Sequence, residues 1–341
     1  MRLLVTGGAG FIGSNFTRSH LDAHPTDTVV VLDSLTYAGN LKNLAGLERH
    51  GGFRFVRGDI CAPGDVVAAF DACSGDVDAL VHFAAESHVD RSIDDAAPFV
   101  KTNVLGTQVL LDVARARGVG RFLALSTDEV YGSLGPDDAP FTEASPLAPS
   151  SPYSASKAGG DVLVRAAART FGVPAIVVRA SNTYGPYQFP EKLLPLFITN
   201  AFEERPLPLY GDGRHVRDWL YVGDLCDALE RLLRAGRLGE TYNVGGRCER
   251  ENLTLARAIC HETGKPESLI RHVSDRPGHD RRYALDTSRI EAELGWKPGP
   301  PIEDRLGELV RWYAGNRAWW EEIKSGAYRD YYAKLYGARL R

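Results

Sequence analysis

The chain has 341 residues, 44% hydrophobic and 25% charged, with a formal net charge of −4. That is the composition of a globular protein able to bury a sizeable core, and it excludes a disordered chain and a basic nucleic-acid footprint. No apolar run approaches membrane-spanning length, and the five scattered cysteines form no C-x-x-C pair, so no membrane partner, disulfide framework or metal site is expected and a reducing cytoplasm fits.

The opening segment Leu3–Val5 reads as a strand and turns to glycine too soon for a signal peptide. Gly7, Gly8, Gly10 and Gly13 follow it and open a helix over Phe11–Asp22, satisfying two dinucleotide-binding spacings at once. Glycines there let the backbone turn tightly and approach a pyrophosphate on the helix N-terminus. The second strand, Val29–Leu32, ends at Asp33, twenty residues past Gly13. That carboxylate suits the ribose hydroxyls and repels a 2′-phosphate; Ser34, not arginine, comes next, so NAD is favoured over NADP.

Further along, Phe53–Val56, Ala79–Phe83, Phe122–Leu125 and Ala175–Val178 read as strands, with helices over Pro63–Ala72, Ala96–Arg117 and Pro152–Phe171. Strands apolar at every position, alternating with helices, predict a parallel sheet covered on both faces. The expected fold class is α/β: a Rossmann-type doubly wound parallel sheet with a smaller mixed C-terminal substrate-binding domain. The domains are expected at 1–181 and 182–341, with some later segments returning to the first. After Ser181 prolines punctuate the chain down to a tail rich in tryptophan and tyrosine.

Two groups carry chemistry. Tyr153 and Lys157 stand at i and i+4 near the start of a helix, on one face. A buried ammonium beside a phenol, helped by the nicotinamide's charge, is expected to lower the tyrosine pKa toward that of a general base. Gly159 and Gly160 inside that helix cost stability and predict a close backbone or ligand contact. Upstream, Ser126-Thr127-Asp128-Glu129 closes an apolar strand at the sheet edge where ligands bind. A reductase or epimerase needs only tyrosine and lysine for the hydroxyl proton; two further acids imply a second chemical step.

The glycine pattern, Asp33 and the Tyr-x-x-x-Lys pair together resemble the extended short-chain dehydrogenase/reductase superfamily. Thr127-Asp128-Glu129, the run Ala84–Ser92, Ser181–Pro186, Pro190–Leu193, Arg217–Val222 and Asp275–Tyr283 look like the dTDP-glucose 4,6-dehydratase family, over nearly the whole chain. Thr183 departs from it, standing where many relatives carry asparagine. The resemblance implies catalytic roles for Thr127, Asp128, Glu129, Tyr153 and Lys157. It implies NAD contacts at Gly7, Gly10, Phe11, Ile12, Gly13, Asp33, Ser34, Leu35, Thr36, Asp59, Ile60, Phe83, Ala84, Ala85, Ser87, Thr102, Tyr153, Lys157 and Thr183. It implies nucleotide-sugar contacts at Ser87, Thr127, Asn182, Lys192, Leu193, Pro208, Tyr210, Arg217, Asn252, Arg276 and His279. Arg217 and Arg276 are the residue type that grips phosphate bidentately. A homodimer through the Ala96–Arg117 and Pro152–Phe171 helices is also implied; Val109, Leu110, Val113, Val162, Leu163 and Val164 suit either that interface or the core. The rival readings are a nucleotide-sugar 4-epimerase, a nucleotide-glucuronate decarboxylase and a non-catalytic dinucleotide-binding scaffold.

Overall fold

In the computed structural model, which describes residues 1–337 and 339–340, the apolar runs become the strands of one parallel sheet. They are β1 (Arg2–Thr6), β2 (Thr28–Asp33), β3 (Phe53–Arg57), β4 (Ala79–His82), β5 (Phe122–Thr127) and β6 (Ala175–Ala180). Short strands β7 (Asn182–Tyr184), β8 (Leu207–Tyr210), β9 (Val216–Tyr221), β10 (Thr241–Val244), β11 (Glu249–Glu251) and β12 (Ile270–Val273) follow. The seven-stranded order is β3-β2-β1-β4-β5-β6-β10, with every pair parallel. Strand order reverses at β1, so the carboxyl ends of β1 and β4 open a ligand crevice. The seventh strand, β10, is one of the later segments that return to the first half's sheet.

Alternation along each strand splits the core in two. Leu3, Val5, Val29 and Val31 pack in one cluster, while Leu4, Val30 and Leu32 pack in another across the sheet. Helices α1 (Phe11–Ala23), α2 (Pro63–Ala72), α3 (Val89–Asp94), α4 (Ala97–Val100), α5 (Thr107–Ala116) and α6 (Pro152–Phe171) connect these strands. The predicted single helix over Ala96–Arg117 is interrupted: α4 and α5 are joined by a π-helical stretch, Lys101–Gly106. Asn103 in that stretch donates to the Glu86 carbonyl and the Ser156 hydroxyl and accepts from the Glu86 N–H. Regular helical periodicity carries no signal for such a widened turn, which is common beside functional sites. Helix α3 was also absent from the sequence reading.

Gly159 and Gly160 prove to serve helix packing. A Cβ on Gly160 would stand 2.6 Å from the Asn103 carbonyl, and one on Gly159 3.0 Å from Val104. Helix α6 thus lies directly on the π-helical stretch, Gly160 against its backbone and Gly159 against the Val104 side chain.

The second half adds α7 (Leu193–Phe202), α8 (Val222–Ala235), α9 (Asn252–Thr263), α10 (Ser288–Leu294), α11 (Ile302–Gly315), α12 (Arg317–Ile323) and α13 (Ala327–Tyr336). Two small sheets, β11-β9-β7 and β12-β8, mix parallel and antiparallel pairing. The aromatic tail builds a separate core with α7 and α9: Tyr313, Trp319, Trp320 and Tyr332 pack with Phe197, Leu255 and Ile259. The indole N–H of Trp320 donates to the Tyr313 carbonyl (2.8 Å) and that of Trp319 to Asn43 (2.9 Å). All five cysteines are unpaired. No helix among the described residues is long and apolar enough to cross a membrane.

Candidate active site

The first turn, Gly7–Gly10, is shaped for close approach. Gly7 has φ +69°, and a Cβ there would sit 2.5 Å from the Ala84 nitrogen. A Cβ on Gly13 would stand 2.4 Å from the Gly7 carbonyl, so side chains are barred where α1 meets the loop. At the end of β2 the buried Asp33 carboxylate accepts from the Ala9 N–H (2.9 Å) and the Leu35 N–H (2.8 Å). Burial raises its pKa, against the two backbone hydrogen bonds. These groups line a cleft of about 360 Å³ that runs to the end of β5.

Every residue expected to hold NAD lines that cleft except Leu35. Leu35 instead has a left-handed backbone (φ 54°) and uses its N–H to orient Asp33. Glycine cradle, helix N-terminus and ribose-directed carboxylate fit a dinucleotide, and the barred Cβ positions are what a pyrophosphate against the backbone requires.

At the far end of the cleft, β5 ends at Ser126-Thr127 and the chain turns through a short 3-10 helix, Asp128–Tyr131. Thr127 caps the turn, its hydroxyl accepting from the Glu129 N–H (3.3 Å) and donating to Asp128 (3.2 Å). Asp128 is 1% exposed, and its other carboxyl oxygen has no partner among the described residues. Burial, then the Glu129 and Asp218 carboxylates, push the Asp128 carboxyl well above its ordinary range. Burial also raises Glu129, but Arg276, Arg217 and Lys192 oppose it. Both acids are raised, but the surroundings favour the protonated form more at Asp128, and the cations favour the carboxylate more at Glu129.

Helix α6 delivers Tyr153 and Lys157 to the same place. Its N-terminus is fixed by a Ser151–Ser154 capping box and Pro152 in the first turn, and the Tyr153 N–H donates to the Ser92 hydroxyl (3.1 Å). The expected drop in the Tyr153 pKa is not what the protein's own charges produce. Burial, then Glu129 and Asp128, raise it, and a Thr127 hydrogen bond opposes them. The Lys157 ammonium donates to the Leu125 carbonyl (2.7 Å), and burial lowers its own pKa to about 8.

A second cavity, about 150 Å³, adjoins the first, and Glu129, Asn182, Glu191 and Lys192 belong to both walls. Leu193, Pro208, Tyr210, Arg217, Asn252, Arg276 and His279 line it, as expected for sugar-nucleotide contacts. Ser87 and Thr127 line the larger cleft instead. Three residues lining this cavity carry buried polar atoms without partners among the described residues: the Nε of Arg276 and the side-chain oxygens of Asn182 and Asn252. Such groups are costly unless a polar ligand meets them. Arg217 is less free than its sequence suggested. Its guanidinium donates to the Val216 and Asp280 carbonyls (2.8 and 2.9 Å) and lies over Tyr283, so it offers charge more than an open fork.

Several site residues escaped the sequence reading. Glu86, Gln188, Phe189 and Glu191 line the cleft. Glu191 pairs with Arg91 (3.1 Å), whose guanidinium lies between the Tyr37 and Tyr331 rings. Glu86 and Glu191 fall inside runs already singled out, Ala84–Ser92 and Pro190–Leu193; Tyr331 comes from the far end of the chain and carried no local signal.

Sheet order, glycine cradle and the Tyr153–Lys157 pair define a Rossmann-type protein of the extended short-chain dehydrogenase/reductase class. Residues 4–309 match the family model described as GDP-mannose 4,6 dehydratase. Curated dTDP-glucose 4,6-dehydratases are similar over nearly full length: that of Streptomyces niveus is 52% identical over 95% of this chain and 96% of its own. That of Salmonella typhimurium is 47% identical over 99% of this chain and 100% of its own. The crystal structure of the dTDP-glucose 4,6-dehydratase DesIV from Streptomyces venezuelae, with NAD and dTDP bound, superposes with a TM-score of 0.91 at 52% identity, covering 95% of this chain and 100% of that one. A Thermus thermophilus UDP-glucose 4-epimerase bound to NAD is more distant, at 31% identity and a TM-score of 0.84, covering 92% of this chain and 99% of that one. The chain belongs to the dTDP-glucose 4,6-dehydratase family.

Proposed function

We propose that this chain is an NAD-dependent hydro-lyase that converts dTDP-glucose to dTDP-4-keto-6-deoxyglucose and water. The observation that carries this reading is the position of Glu129. It stands where the dinucleotide cleft meets the second cavity, beside a buried Asp128 whose surroundings favour the protonated form. An epimerase has no use for that pair, and a glucuronate decarboxylase loses CO₂ rather than water.

The cofactor, when bound in the glycine cradle, supplies a hydride store and a positive charge that favours the Tyr153 phenolate, which the protein alone does not. Tyr153 takes the proton of the sugar 4-hydroxyl as C4 is oxidised. The 4-ketone acidifies the neighbouring C5–H, and Glu129 removes that proton. Asp128 donates its proton to the departing C6 hydroxyl, which leaves as water. Hydride returns to C6 and Glu129 returns the proton to C5. The 4-hydroxyl proton left on Tyr153 then passes through solvent to Asp128, which restores the phenolate and the acid for the next turnover. Thr127 holds the two acids in place through its hydroxyl.

Incubation with dTDP-glucose is expected to give a product lighter by one water, with deuterium placed at C4 recovered at C6. An unchanged mass would point to epimerisation, and label in solvent would refute internal hydride return. Parallel incubation with UDP-glucose measures how strictly thymine is required.

The division into a cofactor domain over 1–181 and a mainly substrate-binding domain over 182–341 is kept as part of this reading. It is supported by a core built wholly from residues after 182, although α8, β10 and α10 return to pack in the first core. A cytoplasmic location is supported by the five unpaired cysteines. A homodimer is supported by Val100, Leu105 and Val162, about half exposed on the π-helical segment and its flanking helices α4 and α6. Leu110 and Val164 are core residues and take no part. Leu105→Glu with Val162→Glu is expected to halve the sedimenting mass; an unaltered mass would remove this face from the interface.

A further inference from the structure

At the rim of the second cavity, Asp275, His279 and His215 form a cluster that the reaction scheme does not use. We infer that Asp275 is a positioning residue: it keeps the His279 proton on Nδ1, so that Nε2 presents a lone pair and accepts a hydrogen bond from the nucleoside end of the substrate. This deepens the nucleotide-sugar reading and rests on it.

The geometry is closed on three sides. His279 Nδ1 lies 2.6 Å from Asp275 Oδ1. A carboxylate only accepts, so Nδ1 is the donor. The same oxygen takes the Arg276 N–H (2.8 Å), while Oδ2 lies 3.2 Å from His215 Nε2. Gly211, at φ +56°, makes room for the carboxylate: a Cβ there would stand 2.9 Å from Oδ2. The His215 ring lies flat on His279, with centroids 3.7 Å apart and planes 13° from parallel, and Tyr210 meets His279 edge-on. The His279 ring is thus held in plane as well as in rotation.

His279 Nε2 has no hydrogen-bond partner among the described residues, and the ring lines the cavity with Pro208, Tyr210 and Asn252. Burial, then the Arg276 and Arg217 charges, push the His279 pKa down to about 3, so Nε2 gains no proton near neutrality. Those two guanidiniums also disfavour a cation between the histidines. Despite partial burial, the His279 hydrogen bond keeps the Asp275 carboxyl below its ordinary range, as an ionised acceptor must be.

A neutral imidazole with Nδ1 protonated cannot donate to phosphate through Nε2. A diphosphate near neutrality offers mainly acceptors, whereas a thymidine nucleotide offers donors at the pyrimidine N3–H and the ribose 3′-hydroxyl. The hexose hydroxyls are donors too, but the reaction sets the hexose against Tyr153 in the larger cleft, whereas His279 lines the second cavity with Pro208, Tyr210 and Asn252. His279 is therefore assigned to the nucleoside, leaving phosphate to the arginines.

The test uses the full-length protein labelled with ¹⁵N-histidine, and calorimetry with dTDP, N3-methyl-dTDP and 3′-deoxy-dTDP. Wild type is expected to show His279 protonated on Nδ1 and to bind one analogue roughly three- to tenfold more weakly than dTDP, the worth of one hydrogen bond. Which analogue suffers identifies the donor. Asp275→Ala is expected to move the proton toward Nε2 and to erase that discrimination. His279→Gln, which still offers an acceptor, should retain part of it, and His279→Leu none. An unprotonated Nδ1 in wild type, equal binding of all three nucleotides, or discrimination that survives in His279→Leu overturns the inference. Wild type that binds no dTDP at all overturns the nucleotide-sugar reading itself, and the ¹⁵N result tells the two failures apart.

Discussion

Glu129→Gln is expected to oxidise the sugar and stop. The amide has nearly the shape of the carboxylate but cannot take a proton, so the 4-ketone forms and the C5–H stays in place. Loss of a positioned general base costs on the order of 10²- to 10⁴-fold in the step it serves, and here that step is elimination. The measurement is single-turnover absorbance of the reduced cofactor followed alongside product mass. A persistent NADH signal with no dehydrated product is the expected result. Dehydration at the wild-type rate would remove Glu129 from the chemistry. Burial raises the Glu129 carboxyl, and three cations around it, Arg276, Arg217 and Lys192, oppose that and favour the ionised base.

The second large effect is on stability. Arg179 and Asp161 form a bidentate pair (2.8 and 3.0 Å) with both side chains at most 1% exposed. The third guanidinium nitrogen donates to the Tyr131 hydroxyl (2.8 Å), which donates in turn to Asn243 (2.7 Å). This network ties α6, β6 and β10 to the turn that carries Asp128 and Glu129. Asp161→Asn leaves a buried guanidinium without its counter-charge, and such losses run to about 3–5 kcal/mol. A urea midpoint lowered to match is the expected outcome. The pair of changes Asp161→Leu and Arg179→Met, which removes both charges, should cost less. A single mutant as stable as wild type would show that the ion pair is not what holds the catalytic turn.

Local pattern sufficed wherever the physics is local. Runs such as Leu3–Val5 and Val29–Leu32 read as buried parallel strands because both their faces are apolar, and they form β1 and β2. Gly7, Gly10 and Gly13 announce the dinucleotide turn because only glycine tolerates that backbone approach, and Tyr153 and Lys157 share a helix face because helical geometry puts them there. Strand ends were less legible. The sixth strand read as stopping at Val178, since nothing local marks Arg179 as buried; its partner, Asp161, lies on another element.

What the sequence by itself determined is therefore the sheet and the glycine turn, and it supplied a short list of candidate reacting groups, each encoded by neighbours a few residues apart. Tertiary structure alone decided the charge state of those groups and the walls around them. Tyr153 is raised rather than lowered because it is buried and because Glu129 and Asp128 fold against it. Asp128 and Glu129, adjacent in the chain, differ because Glu129 meets Arg276, Arg217 and Lys192, whereas Asp128 meets Arg217 alone against the Glu129 and Asp218 carboxylates. Coulomb forces and desolvation depend on distance through space, and a linear order of residues does not contain that distance.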